Sequence, residues 1–180
     1  MKKTVLTFGL ISGATVTGLM MATMPFVNTI GWEKGEILGY ATIVLAALMV
    51  FFGVRSYREN VGGGRLTFGR GFAVGILITL ISSACYVGTW EIVYHTLMPN
   101  FAEKYAVHMV EHAKASGASQ QKVEETERQA RDFVRNYHNP FINMAWTFME
   151  VFPIGFVVTL ASAGILRKKG QGIAVGSGAI

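Results

Sequence analysis

Three stretches of the chain, Thr4 to Thr23, Ile37 to Val54 and Phe72 to Trp90, contain no Asp, Glu, Lys or Arg, and a fourth, Phe141 to Leu166, contains only Glu150. Each is close to the roughly 20 residues a helix needs to cross about 30 Å of hydrocarbon. Lipid offers no partner to a free backbone N–H or C=O, so only helices or closed barrels span it. The pattern predicts an all-α fold: an integral membrane four-helix bundle with spans at about residues 4–26, 37–54, 71–97 and 140–166, in a single domain covering 1–169.

Between the third and fourth spans the periodicity changes. Phe101, Ala102, Tyr105, Ala106, Met109, Val110 and Ala113 recur at steps of three and four, with Glu103, Lys104, His108, Glu111 and His112 opposite, which is the signature of an amphipathic helix. Ser116-Gly117-Ala118-Ser119 breaks it. A second helix follows to Tyr137, with Val123, Ala130, Phe133, Val134 and Tyr137 on its apolar side and Glu124–Arg128 and Glu127–Arg131 as i,i+4 pairs. The expected element is an extramembrane helical hairpin over about 100–138.

Within the spans, Gly9 and Gly13, Gly71 and Gly75, and Gly155, Thr159 and Ala163 each recur four residues apart. Small residues at that spacing let helix backbones approach closely in lipid, where van der Waals packing drives association. Asn139-Pro140 supplies an N-cap and a first-turn proline for the fourth span, and Pro153 should kink it. Trp32, Tyr40, Trp90, Tyr94 and Trp146 fall near one boundary, where amphipathic rings favour the headgroup level.

Composition agrees: 51% of residues are apolar and 15% charged, against roughly a quarter charged in a soluble domain. The net charge of +5 is sorted by side, which excludes a nucleic-acid footprint. Lys2, Lys3, Arg55, Arg58, Arg65, Arg70, Arg167, Lys168 and Lys169 share one side with Glu59 alone, leaving seven basic residues and ten acids on the other. Basic short loops mark the cytoplasmic face, so both termini are expected inside and the hairpin outside. Lys2-Lys3 before an apolar run also has the form of a signal peptide, but no small-residue cleavage pattern follows and the run is long for one. Cys85, the one cysteine, lies inside the third run and reads as a small buried hydrophobe. Residues 170–180 are rich in glycine and small residues and are expected to form a flexible tail.

Three sets of residues are candidates for chemistry. Intramembrane ionisable groups are functional candidates by default, and a rise of 1.5 Å per residue places Glu91 and Glu150 near one level. His95, four residues after Glu91, shares its face, so Glu91, His95 and Glu150 form a candidate polar pocket for a proton or a cation; hydrogen-bonding and snorkelling roles explain the same residues without a pocket. His108-Met109-Val110-Glu111-His112 has the H-x-x-E-H form in which two histidines hold zinc and the glutamate is the base, but the match is weak, a third ligand must come from elsewhere, and a charged solvated helical face is the better explanation of the pattern. Arg55, Arg58, Arg65 and Arg70 flank the glycines of the loop from Arg55 to Gly71. They suit anionic lipid headgroups; the loop lacks the G-K-[ST] ending of a nucleotide site.

The chain resembles a bacterial family, domain of unknown function 4199. The resemblance is carried by Phe52-Gly53-Val54-Arg55-Ser56-Tyr57-Arg58, by Gly64-Arg65-Leu66-Thr67-Phe68-Gly69-Arg70-Gly71-Phe72, by Trp90-Glu91, and by Glu150-Val151-Phe152-Pro153-Ile154-Gly155 with Leu166-Arg167-Lys168-Lys169. It covers roughly residues 1–169 and implies a four-span protein of the bacterial inner membrane. It implies no reaction and no catalytic residue.

No nucleophile with its base, no nucleotide loop and no complete metal set is present in the sequence. The expectation is therefore a non-enzymatic scaffold, accessory subunit or small-solute or ion binding component, without a cofactor. The alternative is a metal-dependent membrane hydrolase using His108, Glu111 and His112. The small-residue faces of spans one and three also suggest a homo-oligomer or a membrane-protein partner.

Overall fold

The computed structural model describes residues 1–168; the tail expected at 170–180 lies outside them. Helix α1 (Lys2–Thr23) runs through a short 3-10 turn (Met24–Phe26) into the one-turn helix α2 (Val27–Ile30). Then follow α3 (Trp32–Asn60), α4 (Phe68–Thr96), α5 (Phe101–Ala115), α6 (Gln120–Tyr137) and α7 (Pro140–Ile165). Four of these, α1, α3, α4 and α7, are long and apolar enough to cross a membrane. No strand occurs among the described residues beyond a single antiparallel bridge, Leu66 to Lys168.

Helix α3 starts at Trp32, five residues before the run that predicts it. Charge-free length reports only the part that suits lipid, and a helix continues past it at no cost once Glu33, Lys34 and Glu36 meet water. The first span is shorter than expected, its α-helix ending at Thr23. The chain boundaries elsewhere follow local chemistry. Thr67 Oγ1 accepts from Arg70 N (3.4 Å), Ser119 Oγ from Lys122 N (3.3 Å) and Asn139 Oδ1 from Phe141 N (3.0 Å), each supplying an acceptor to an orphan first-turn donor. Pro140 occupies the first turn of α7, and the helix continues through Pro153, where the missing N–H leaves the Met149 carbonyl without its usual partner.

The small-residue stripes close the bundle on itself. Helix α4 packs against α1 on one side and α7 on the other, while α3 completes the ring by touching α1, α7 and α4. A Cβ at Gly9 would fall 2.9 Å from Ile81, one at Gly13 2.6 Å from Cys85 Sγ, and one at Gly75 2.8 Å from Thr159 Cγ2. Gly53 admits the tip of Ile78, and Gly155 admits Thr79. These small-residue faces of α1 and α4 are thus occupied within the chain. Short polar links tie the same helices: Ser12 Oγ donates to the Ala46 carbonyl (2.9 Å) and lies 2.9 Å from Ser82 Oγ, and Thr79 Oγ1 lies 3.1 Å from Thr159 Oγ1 and 3.3 Å from the Gly155 carbonyl. Leu6, Leu10, Leu45, Leu48, Val157 and Ile165 point outward and are exposed, a surface that suits lipid and not water.

The hairpin sits on the end of the bundle opposite the basic loops, with α5 against α6 and α6 against α7. Its apolar stripe meets aromatic residues of the spans. Trp90, Tyr94, Ala102 and Tyr137 are buried in one cluster with Phe101, Phe133 and Val134 packed against it. Two of the rings expected at the headgroup level, Trp90 and Tyr94, are therefore interior. Trp32 contacts Phe101 and stacks on His108, and Trp146 stacks on Phe133 at 14° and 5.7 Å. Burying rings between two layers removes more apolar area from water than resting them on headgroups. The ion pairs also differ: Glu124–Arg128 and Glu127–Arg131 do not form. Lys122–Glu125 (2.8 Å), Arg135–Asp132 (2.9 Å) and the cross-helix pair Lys114–Glu127 (3.5 Å) form instead, all of the exposed kind worth little.

Because Thr159 is β-branched, fully buried and held to Thr79, it has little room to yield. Gly75→Ala should destabilise the bundle by about 1–3 kcal/mol through overpacking, while Gly88→Ala, with open space around its Cβ, should be neutral or mildly stabilising. Unfolding of both variants in mixed micelles measures the difference.

Candidate functional site

Helix α3 carries Trp32, Gly35, Glu36, Gly39 and Tyr40 at steps of three and four, so all five share one face. That face, with Met24 of the 3-10 turn, Tyr86 and Trp90 of α4, Met98 of the link that follows α4, Phe101 and Tyr105 of α5, Phe133 and Tyr137 of α6 and Glu150 of α7, encloses a cleft of about 330 Å³ beneath the hairpin. Tyr86 and Trp90 are buried and form its floor and Tyr137 is buried in its roof, whereas Glu36, Tyr40 and Glu150 are exposed at its mouth. Gly35 and Gly39 leave the α3 wall bare, since a Cβ at either would touch nothing within 4 Å.

Trp90 Nε1 donates to Tyr137 Oη at 2.7 Å, joining a span directly to the roof. The Asn143 amide donates to the Tyr137 carbonyl (3.4 Å) and Thr147 donates to Asn143 Oδ1 (3.2 Å), continuing the link into α7. The mouth is acidic. Glu36 is near enough to act electrostatically on the Glu150 carboxylate, and the Tyr86 hydroxyl faces that carboxylate. Neither Glu36 nor Glu150 has a basic partner among the described residues. In the roof, burial pushes the Tyr137 phenol up, the Trp90 hydrogen bond opposes this, and Glu150 adds to it. Burial likewise raises Tyr105, followed by Glu36, Tyr40 and Glu150. Both phenols are consequently neutral at physiological pH.

The expected pocket of Glu91, His95 and Glu150 is divided. Glu91 and His95 do meet, His95 Nδ1 lying 2.8 Å from the Glu91 carbonyl and 3.7 Å from its Oε2, and Glu91 Oε1 is buried without a partner. Neither residue lines the cleft that Glu150 lines. Counting residues along a helix gives height, but direction depends on a turn of about 100° per residue, and Trp90 takes the inward direction one position before Glu91. Close by, His138 links Tyr94 Oη (3.3 Å) to Glu103 Oε1 (2.9 Å), joining α4 to α5.

The zinc-like triplet is also directed elsewhere. The His108 ring stacks on Trp32 at 5.6 Å, His112 Nε2 lies 3.5 Å from Glu33 Oε1, and Glu111 lines a separate open groove between α5 and α6. No three His, Cys, Asp or Glu residues are placed to hold a metal among the described residues. At the basic end, Gly63 and Gly64 take φ of 57° and 77°, the left-handed turn that glycine adopts without strain. Arg55 Nε and Arg58 Nη2 both donate to Glu59 Oε1, at 2.9 and 3.2 Å. Arg65 and Arg70 are exposed and form no ion pair among the described residues.

Sequence reasoning missed Glu36, Trp32, Tyr86 and the hairpin rings as a single site. The signal was there in α3, since Glu36 shares a helical stripe with Trp32, Gly39 and Tyr40; starting the span at residue 37 put that acid in a loop.

Fold and site together define an integral membrane four-helix bundle with a helical cap over an acidic, aromatic cleft. Over residues 6–168, nearly its whole length, the chain matches the family described as protein of unknown function (DUF4199), and it belongs to that family. It matches no curated protein and no solved structure.

Removing the indole donor while keeping an aromatic ring, by Trp90→Phe, leaves the buried Tyr137 hydroxyl without its partner, an effect worth about 1–3 kcal/mol. The expected result is easier cleavage in the Ser116–Ser119 loop by a protease added to the hairpin face, with the spans still resistant. Unchanged cleavage would show that the hydrogen bond does not hold the roof down.

Proposed function

We propose that the protein is a multi-pass component of the bacterial inner membrane that binds a small solute at its outer face, and that it is not an independent enzyme. The observation that carries this reading is the cleft: concave, mostly aromatic, with a few convergent polar groups, and within the range of about 300–1,000 Å³ usual for small-molecule sites, at its lower end. The orientation rests on charge. The end bearing Lys2, Lys3, Arg55, Arg58, Arg65, Arg70, Arg167 and Lys168 carries Glu59 as its only acid among the described residues, so it belongs in the cytoplasm with both termini, where Arg65 and Arg70 meet anionic headgroups. The hairpin and the cleft then face outward. A hydrolase built on His108, Glu111 and His112 has no observation in its favour, because those side chains are engaged with Trp32, with Glu33 and with a different groove.

Reporter fusions test the orientation: signals should be cytoplasmic after Lys168 and external after Gln121, and an external signal from the C-terminal fusion would reverse the assignment. The binding role is tested by Gly39→Leu, which has space at Cβ and directs its side chain into the cleft. In a thermal-shift screen of a small-molecule library against purified protein, compounds that protect the wild type should fail to protect Gly39→Leu. If none protects the wild type, the solute-binding reading falls.

A further inference from the structure

The lining of the cleft is selective in a way that its size is not. Aromatic rings from three directions surround it: Trp32 and Tyr40 from α3, Trp90 from α4, and Phe101 and Tyr105 from the hairpin. Two carboxylates, Glu36 and Glu150, stand at the mouth with no Lys, Arg or His paired to them among the described residues. Uncompensated negative charge repels an anion and is wasted on a neutral solute. A bare metal ion fits poorly as well, since it needs several oxygen or nitrogen ligands and no set of three His, Cys, Asp or Glu side chains converges here among the described residues. What satisfies both parts of the lining is a cation whose charge is covered by carbon. The faces of indole and phenol rings attract such a cation through their quadrupoles, most strongly when water is excluded, and the carboxylates neutralise it from the open side.

We propose that the cleft is a recognition site for a methylated ammonium group, held in a cage of Trp32, Tyr40, Trp90 and Tyr105 and neutralised by Glu36 and Glu150. The inference rests on the solute-binding reading above and names its ligand class. The group comes either as a free solute or as the headgroup of a lipid, because the mouth residues Glu36, Tyr40 and Glu150 lie on two spanning helices, α3 and α7. In both cases the chemistry of recognition is the same.

The test uses the full chain in nanodiscs of phosphatidylglycerol, titrated calorimetrically with choline, with tetramethylammonium, and with 3,3-dimethylbutan-1-ol, the neutral carbon isostere of choline. Saturable binding of the two cations is expected, with the isostere weaker by about tenfold or more. Glu36→Gln combined with Glu150→Gln should weaken choline by a similar factor and leave the isostere unchanged. Tyr40→Leu, at the exposed mouth and so tolerable to the fold, should weaken both cations by about threefold or more. Repeating the choline titration in discs containing phosphatidylcholine distinguishes the sources. Apparent weakening there identifies a lipid headgroup as a competing occupant, and an unchanged affinity identifies a free solute; either result supports the site. Equal binding of choline and its isostere, or no effect of the double glutamine variant, would overturn the cation assignment and leave solute binding standing. Failure of both cations to bind while library compounds still distinguish the wild type from Gly39→Leu would do the same. Failure of both cations with no protective compound in that screen would overturn the two readings together.

Discussion

How near one helix backbone can come to the next decides most of this structure. In lipid there is no hydrophobic penalty to drive helices together, so close packing and short polar links have to hold them. Helix α4 receives most of that contact, and its inward residues change systematically along its length. Gly71, Gly75 and Thr79 are small and meet Ala163, Thr159 and Gly155 of α7 at near-backbone distance. Beyond Ser82 and Ser83 the same stripe continues as Tyr86, Trp90 and Tyr94, all buried. Large side chains between helices hold backbones apart. The bundle is therefore closed toward its basic end and open toward the hairpin, and the cleft is a consequence of that gradient.

An open bundle end leaves aromatic surface that neither lipid tails nor water suits well. The hairpin answers this with Phe101, Phe133 and Tyr137, which share a cluster with Trp90 and Tyr94. Its attachment is directional as well as apolar, because the Trp90 to Tyr137 bond and the Asn143 to Tyr137 link fix the roof relative to two different spans. A roof held only by ring contacts could slide, since dispersion has little preference for register. Two hydrogen bonds on one residue remove that freedom, so the height of the cleft is set by Tyr137.

The legible part of the sequence was the part governed by one-dimensional rules. Length of charge-free runs gave the spans, spacing of three and four gave the hairpin, and Asn139-Pro140 gave the start of α7 with its cap intact. The four-residue small motifs were also legible as contacts, but their partners were not. Whether Gly13 faces Cys85 or another molecule depends on azimuth and on which helices are neighbours, and neither is written in spacing alone. The same gap explains the site. Glu150 could be recognised as an acid in an apolar run, yet its neighbour Glu36 lies more than a hundred residues away in sequence and outside the charge-free core of its helix. Glu91 looked like the natural companion because it has the right height, and one residue of helical rotation sends it elsewhere.

That rotation also puts the two acids in different surroundings. Glu91 lies beside Trp90 on a turn that is otherwise packed, with one oxygen buried without a partner and the other 3.7 Å from His95 Nδ1, and it does not line the cleft. Glu150 has no such neighbour. A second carboxylate, Glu36, acts on it electrostatically, and the hydroxyl facing it belongs to a buried tyrosine. A structural role would be served better by glutamine, which keeps the shape and removes the repulsion between like charges. Two acids facing a space walled with aromatic rings make physical sense when something positively charged completes the arrangement, and the ring faces already supply the partial negative surface that such a group would meet.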